Sequence, residues 1–259
     1  MLDSALQFVP VFVLVVFRLA GMMLFAPLFG SVRIPRRVRV VLVLVLAVGM
    51  VPAVRQSPVL PDSTWGTAAA IGGEMVFGLA MGMVMSFVFV AVQWAGEIVG
   101  QQMGFNLSEV FDPSFGAQST IMGDLYYMFT LAVFLTLGGH RAMVRGVLMS
   151  FKLVPLLTLT ANQPLVDTLV GLFSAATVLA VQLAAPLLVT MLVVDLVLGL
   201  LGRVMPQMNV MAASMSIRAA VGILVVSLGL QLTGEVIGNA IEDSMVRVQS
   251  GWTMAAGAK

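Results

Sequence analysis

Eight ionisable side chains stand inside apolar stretches of this sequence: Arg18, Glu74, Glu97, Asp124, Asp195, Arg203, Arg218 and Glu235. A charge among hydrocarbon side chains is costly, so each is a candidate for function. The structural alternative is that they pair across helices within an assembly, and pairing is the expectation for most of them. Glu97 stands apart. Gln93, Glu97 and Gln101 are spaced four residues apart and share one helix face. A polar stripe on an otherwise apolar helix faces other helices or water, not lipid. Gln93, Glu97 and Gln101 are therefore candidate pore-lining residues.

Bond chemistry is not indicated. The chain has no H-E-x-x-H, no G-x-S-x-G and no phosphate-binding loop signature. It has no cysteine, which removes disulfides, thiolate metal sites and thiol nucleophiles. A single histidine, His140, rules out a multi-histidine metal site within one chain. His140 beside Arg141 at the end of an apolar block reads as a capping or interface residue rather than a proton shuttle. The expectation is a protein that is not an enzyme, with no catalytic, metal-binding or cofactor-binding residues. The net charge of +1 gives no sign of a nucleic-acid partner.

The second candidate site is the stretch Gly104 to Gln118 near the middle of the chain. Asp112-Pro113 biases Asp112 away from the helical region, and Gly104 and Gly116 bracket a loop. Yet Phe105, Leu107, Val110, Phe111 and Phe115 are bulky and apolar. Such a loop needs a buried home, and in a membrane protein irregular backbone is tolerated only inside protein or beside a water-filled cavity. These five side chains, with Asp112 and Pro113, are candidate plug residues, and Gly104 and Gly116 are candidate hinges. A surface loop folded onto its own bundle is the plainer alternative.

The elements that position these residues are apolar helices. The chain has 259 residues, 60% of them hydrophobic and 10% charged, the composition of a membrane protein. Its start is not a convincing cleavable signal, with Asp3 present and no basic residue before Arg18. An apolar block runs from Leu6 to Phe29 and ends at Pro27 and Gly30. A basic turn follows with Arg33, Arg36, Arg37 and Arg39. Val40 to Val54 is short for a span, and a proline-rich loop follows it. Thr67 to Met103 is a long helix whose Gly78 and Gly82, and then Gly96, Gly100 and Gly104, recur every fourth residue. Small residues at that spacing let helix backbones approach, so Gly96 and Gly100 are candidate packing or assembly positions. Ile121 to Leu137 is apolar, Gly138-Gly139 breaks it, and Met143 to Thr160 follows with Pro155 inside. Leu165 to Met205 spans about 41 residues, or about 61 Å as a helix, roughly twice the hydrocarbon thickness. Pro186 is expected to kink it. Pro206 to Asn209 turns the chain, and Ser214 to Val248 returns.

One crossing per block does not give a consistent topology. With the arginine turn at 33–39 in the cytoplasm, the basic turn at 139–145 falls outside. One block is too short and two are too long. The expected fold is all-α: membrane-associated helical hairpins with non-conventional spans, many helices packing on partner subunits.

Several motifs together resemble one family. They are Phe17-Arg18 through Ala26-Pro27, Ile34-Pro35, Gly100-Gln101-Gln102-Met103-Gly104, Asp112-Pro113, Phe134-Leu135 with Gly139-His140, and Pro206-Gln207-Met208-Asn209-Val210. In this order they resemble the FliR family of flagellar export-gate proteins, related to the SctT proteins of injectisomes. The resemblance spans nearly the whole chain, and the Asp-Pro dipeptide and polar proline turn favour the flagellar branch.

The resemblance implies an all-α subunit with a P-like half, residues 1–163, followed by a Q-like two-helix hairpin and tail, residues 164–259. Pro186, Pro206 and Asn209 fall on the Q-like part as packing or assembly positions. It implies FliP-like, FliQ-like and FlhB-like partners, membrane lipid around the assembly, and unfolded flagellar proteins as cargo. The location it implies is the flagellar basal body in the bacterial inner membrane. It also implies that the loop at 104–118 projects into a pore. A secondary transporter with Glu74, Glu97 and Asp195 as coupling residues is the alternative, weakened by the lack of self-similar halves.

Overall fold

The computed structural model describes residues 2–30, 34–54, 61, 63–105, 120–157, 163–205 and 210–257. Seven α-helices and one 3₁₀ turn are found among them, and no strand. They are α1 (Leu2–Phe25), α2 (Arg36–Met50), the 3₁₀ turn Val51–Ala53, α3 (Thr64–Met103), α4 (Ile121–Thr136), α5 (Gly139–Leu153), α6 (Gln163–Val204) and α7 (Val210–Gly257). The protein is all-α.

Four stretches are long and apolar enough to cross a membrane: Phe8–Phe25 in α1, the whole of α3, Leu169–Val204 in α6 and Ala213–Ser244 in α7. The helices α4 and α5 pass that test only as a pair, and they are bent by 66°. The bend falls at Gly138, whose φ of +70° lies where side chains are disfavoured.

Two expectations are corrected. Arg36, Arg37 and Arg39 are not in a turn but in the first turns of α2, which starts directly after Pro35. Pro35 is the N-cap, with φ −55° and ψ 139°, so the helix begins at Arg36. The block expected from Met143 to Thr160 is instead α5, which starts at Gly139 and takes in His140 and Arg141. It stops at Leu153 because Val154, before Pro155, is extended with φ −121° and ψ 93°. The helix α6 runs from Gln163 to Val204 with Pro186 inside it, and the Thr190 hydroxyl donates to the Pro186 carbonyl at 2.8 Å.

The chain forms two compact units, and each draws on segments distant in sequence. The first comprises residues 1–87, 135–173 and 241–259. Its core sets Leu14, Val15, Leu19, Met22 and Met23 of α1 against Phe77, Ala80 and Val84 of α3. The two helices meet backbone to backbone. A side chain at Gly21 would strike the Met75 carbonyl, one at Gly78 the Arg18 carbonyl, and one at Gly82 the Met22 carbonyl. The second unit comprises residues 88–134 and 174–240. Its core contains Phe89, Val92, Ala95 and Val99 of α3, with Tyr126 and Phe134 of α4. Phe89 packs edge-on to Tyr127 and to Phe134, each at 5.5 Å between ring centres.

Candidate functional site

The central stretch begins where α3 stops. Gly104 has φ +81°. Its N–H donates to the Gln101 carbonyl at 3.0 Å, and the Phe105 N–H donates to the Gly100 carbonyl at 3.1 Å. This is the Schellman closure, in which a glycine in the left-handed region turns the chain out of the helix. The return is capped as well. The Gly123 N–H donates to the Thr120 hydroxyl at 3.0 Å, and the Asp124 N–H to the Thr120 carbonyl at 2.9 Å. Thr120 is thus the N-cap of α4.

The two anchored ends are neighbours. A methyl group at Gly100 would lie 3.2 Å from Met122 Cβ and 3.6 Å from Thr120 Oγ1. One turn earlier the fit is closer: a methyl group at Gly96 would lie 2.6 Å from the Met122 carbonyl oxygen and 2.9 Å from Gly123 Cα. The described chain thus stops at Phe105 and resumes at Thr120 close beside the end of α3.

The polar stripe flanks this anchor. Gln93 and Glu97 are half-buried and Gln101 is exposed. Gly123 leaves room for Glu97, whose Cγ is 3.1 Å from where a methyl group on Gly123 would sit. Among the described residues Glu97 takes part in no ion pair. Met103, fully buried, occupies the space that a side chain at Gly222 of α7 would need. Phe105 is half-buried. Leu107, Val110, Phe111, Asp112, Pro113, Phe115, Gly116, Pro206 and Asn209 lie outside the described residues. Pro186 is exposed on α6.

The other intramembrane charges divide into pairs and exposed groups. In the first unit, Arg18 Nε donates to Glu74 Oε2 at 2.6 Å, and both side chains are buried. Arg18 Nη1 donates to the Ser150 hydroxyl and the Val154 carbonyl, each at 3.2 Å. The guanidinium lies 4.7 Å from the ring centre of Phe77 and 4.5 Å from that of Phe151. The second carboxylate oxygen of Glu74 accepts the Leu157 N–H at 3.0 Å. Leu157 itself has φ +66°, a conformation that costs a β-carbon-bearing residue roughly 1–3 kcal/mol and persists only when its surroundings enforce it. This network joins α1, α3, α5 and the turn after α5. In the second unit, Arg218 of α7 donates to Asp195 of α6 at 2.7 Å. Arg203 and Glu235 are exposed. No group of three or more metal-ligating side chains occurs among the described residues.

Comparison with known proteins decides the family. Residues 9–244 match the family described as bacterial export proteins, family 1. The chain belongs to this family. It is 28% identical over 241 residues to the flagellar biosynthetic protein FliR of Bacillus subtilis, covering 92% of this chain and 93% of that one. It is 25% identical over 237 residues to FliR of Aquifex aeolicus, covering 92% of each. It is also 28% identical over 181 residues to Yop proteins translocation protein T of Yersinia pestis, covering 69% of each. The FliR-family assignment makes this chain a component of a flagellar or type III export apparatus, and its apolar helices make it a membrane protein.

Several contributors to these sites were not singled out in the sequence. Thr120 is one, although a threonine directly before an apolar run is a helix-start signal. Phe77, Ser150 and Phe151 carried no signal of their own. Only the position of Arg18 gives them a role.

Proposed function

We propose that this FliR-family chain is a structural pore subunit of the flagellar type III protein export gate. It assembles with FliP-like and FliQ-like subunits, next to an FlhB-like component, to pass unfolded flagellar proteins across the bacterial inner membrane. Residues 1–163 act as its P-like part and residues 164–259 as its Q-like part. It makes and breaks no bonds. Its helices build wall, and the stretch from Phe105 to Phe115 seals the channel at rest, as hydrophobic constrictions do by excluding water.

The observation that carries this reading is the closeness of the two helix ends on either side of the apolar stretch, the end of α3 at Gly104 and the start of α4 at Thr120. Gln93 and Glu97 lie beside Gly123 at that place, and the Gln101 carbonyl accepts the Gly104 N–H. The transporter alternative has less support, because Glu74 and Asp195 are engaged in ion pairs. Only Glu97 would remain of its three coupling carboxylates.

The test is removal of Asn106 to Phe115, with ion conductance measured across membranes carrying equal amounts of assembled gate. The shortened gate is expected to assemble and to leak small ions. If it conducts no more than the intact gate, the segment is not the seal and another constriction closes the channel.

A further inference from the structure

The first unit holds a cleft of about 540 Å³ that none of the functions above uses. Its floor is methionine: Met22 of α1, Met81 and Met85 of α3, and Met143 of α5, all buried. Its mouth is different. Leu137 and Met149 are exposed there, and so are Arg141 and Arg145. The volume falls within the roughly 300–1,000 Å³ of small-molecule sites. Flexible thioethers form a wall that can adapt to an irregular apolar occupant.

The helix that carries the arginines narrows the choice of occupant. α5 has 15 residues, too few to span a bilayer. Its buried residues include Met143, Val147, Ser150 and Phe151. Arg141, Arg145 and Lys152 are exposed and fall within one narrow sector of the opposite side. The helix has no acidic residue, and neither arginine is in an ion pair among the described residues. The apolar face is buried in the unit, so the basic sector is the side that α5 presents outward.

We propose that this cleft binds one anionic phospholipid. An acyl chain lies over the methionine floor, and the headgroup phosphate is held between Arg141 and Arg145. Arginines one helical turn apart can each direct two N–H groups at phosphate oxygens. Basic pockets among membrane helices recognise acidic headgroups by this chemistry. An acidic helix of a partner protein would satisfy the arginines too, but a flexible acyl chain fits the buried methionine surface better. The inference does not depend on whether the chain lines a pore.

The experiment uses the purified full-length protein, with phosphatidylglycerol or phosphatidylcholine of identical acyl chains, and reads retained lipid by native mass spectrometry. The intact protein is expected to retain one phosphatidylglycerol in preference to phosphatidylcholine. The Arg141→Gln/Arg145→Gln variant is expected to lose about thirtyfold in that preference, as two basic groups near an anionic lipid imply. The Arg141→Lys/Arg145→Lys variant should keep most of it, which separates lost charge from lost fold. A photo-crosslinking side chain at position 149 should label lipid in native membranes. Equal retention of the two lipids, no effect of the glutamine variant, or crosslinking to a polypeptide in place of lipid overturns the proposal.

Discussion

Replacing Glu74 by leucine removes one partner of a buried ion pair and leaves the other in place. Arg18 has no exposed surface and Glu74 is 1% exposed. The guanidinium would keep only the Ser150 hydroxyl and the Val154 carbonyl, both accepting from Nη1. Removing one member of such a pair costs about 3–5 kcal/mol, because the remaining charge stays buried. The Leu157 N–H would also lose its acceptor, Glu74 Oε1. A stranded donor adds about 1–3 kcal/mol. The expected loss is therefore roughly 4–8 kcal/mol, comparable to the whole stability of many domains. Glu74→Gln should cost less, since an amide still accepts from Arg18. The double change Arg18→Met/Glu74→Leu should recover much of the loss, because two apolar side chains replace two charges in a site already flanked by Phe77 and Phe151. The assay is denaturant or thermal unfolding of the purified protein in detergent, run as a double-mutant cycle. A Glu74→Leu protein within about 1 kcal/mol of the parent would mean that water or lipid headgroups reach Arg18, and the buried network would not be what holds α1, α3 and α5 together.

Three further outcomes follow from the geometry. Gly96→Val should separate α3 from α4 and lower thermal stability by about 1–3 kcal/mol or more, since its β-carbon meets backbone rather than a movable side chain; Gly72→Ala, with nothing within 4 Å, should be neutral or stabilise by up to about 1 kcal/mol through helix propensity. Gly104→Ala should destabilise by about 1 kcal/mol because its φ of +81° suits glycine, and amide exchange at Phe105 should rise as the cap loosens. Glu97→Gln should leave assembly and export intact while Glu97→Leu impairs one of them; equal behaviour in an export assay would show that Glu97 faces bulk solvent.

Much of the fold was legible in the sequence, for a physical reason. A long uninterrupted apolar run has few alternatives to a helix, so the block expected from Thr67 to Met103 differs from α3 by only a few residues. Boundaries were misjudged where punctuation competed. Gly138-Gly139-His140-Arg141 reads as a break, yet the turn is over at Gly138 and α5 starts at Gly139. Pro155 was placed inside a helix that its own ring ends. The site was legible in part. The recurrence of Gly96 and Gly100 is visible in the sequence, but not that their neighbour is Met122-Gly123. Arg18 and Glu74 were both recognised as misplaced charges. Eight such groups allow many pairings, and that of Arg18 with Glu74 is set by the backbone contact of α1 with α3 at Gly21, Gly78 and Gly82.

The second unit poses a solvation problem that neither water nor lipid alone resolves. Only 11% of the apolar stretch of α7 is buried, against 61% for α3. Leu224, Leu228 and Leu232 stand exposed along one face of α7, and each would gain about 1.5–3 kcal/mol on leaving water. That argues against an aqueous surface. Yet Asp195 and Arg218, at the contact of α6 with α7, are 43% and 34% exposed. An ion pair that open to hydrocarbon would be costly, which argues against a purely lipid one. Neighbouring subunits can cover the leucine ridge and supply polar groups or water to the ion pair. The low burial of α7 and the half-open ion pair thus fit the proposed assembly, in which other chains would cover α6 and α7.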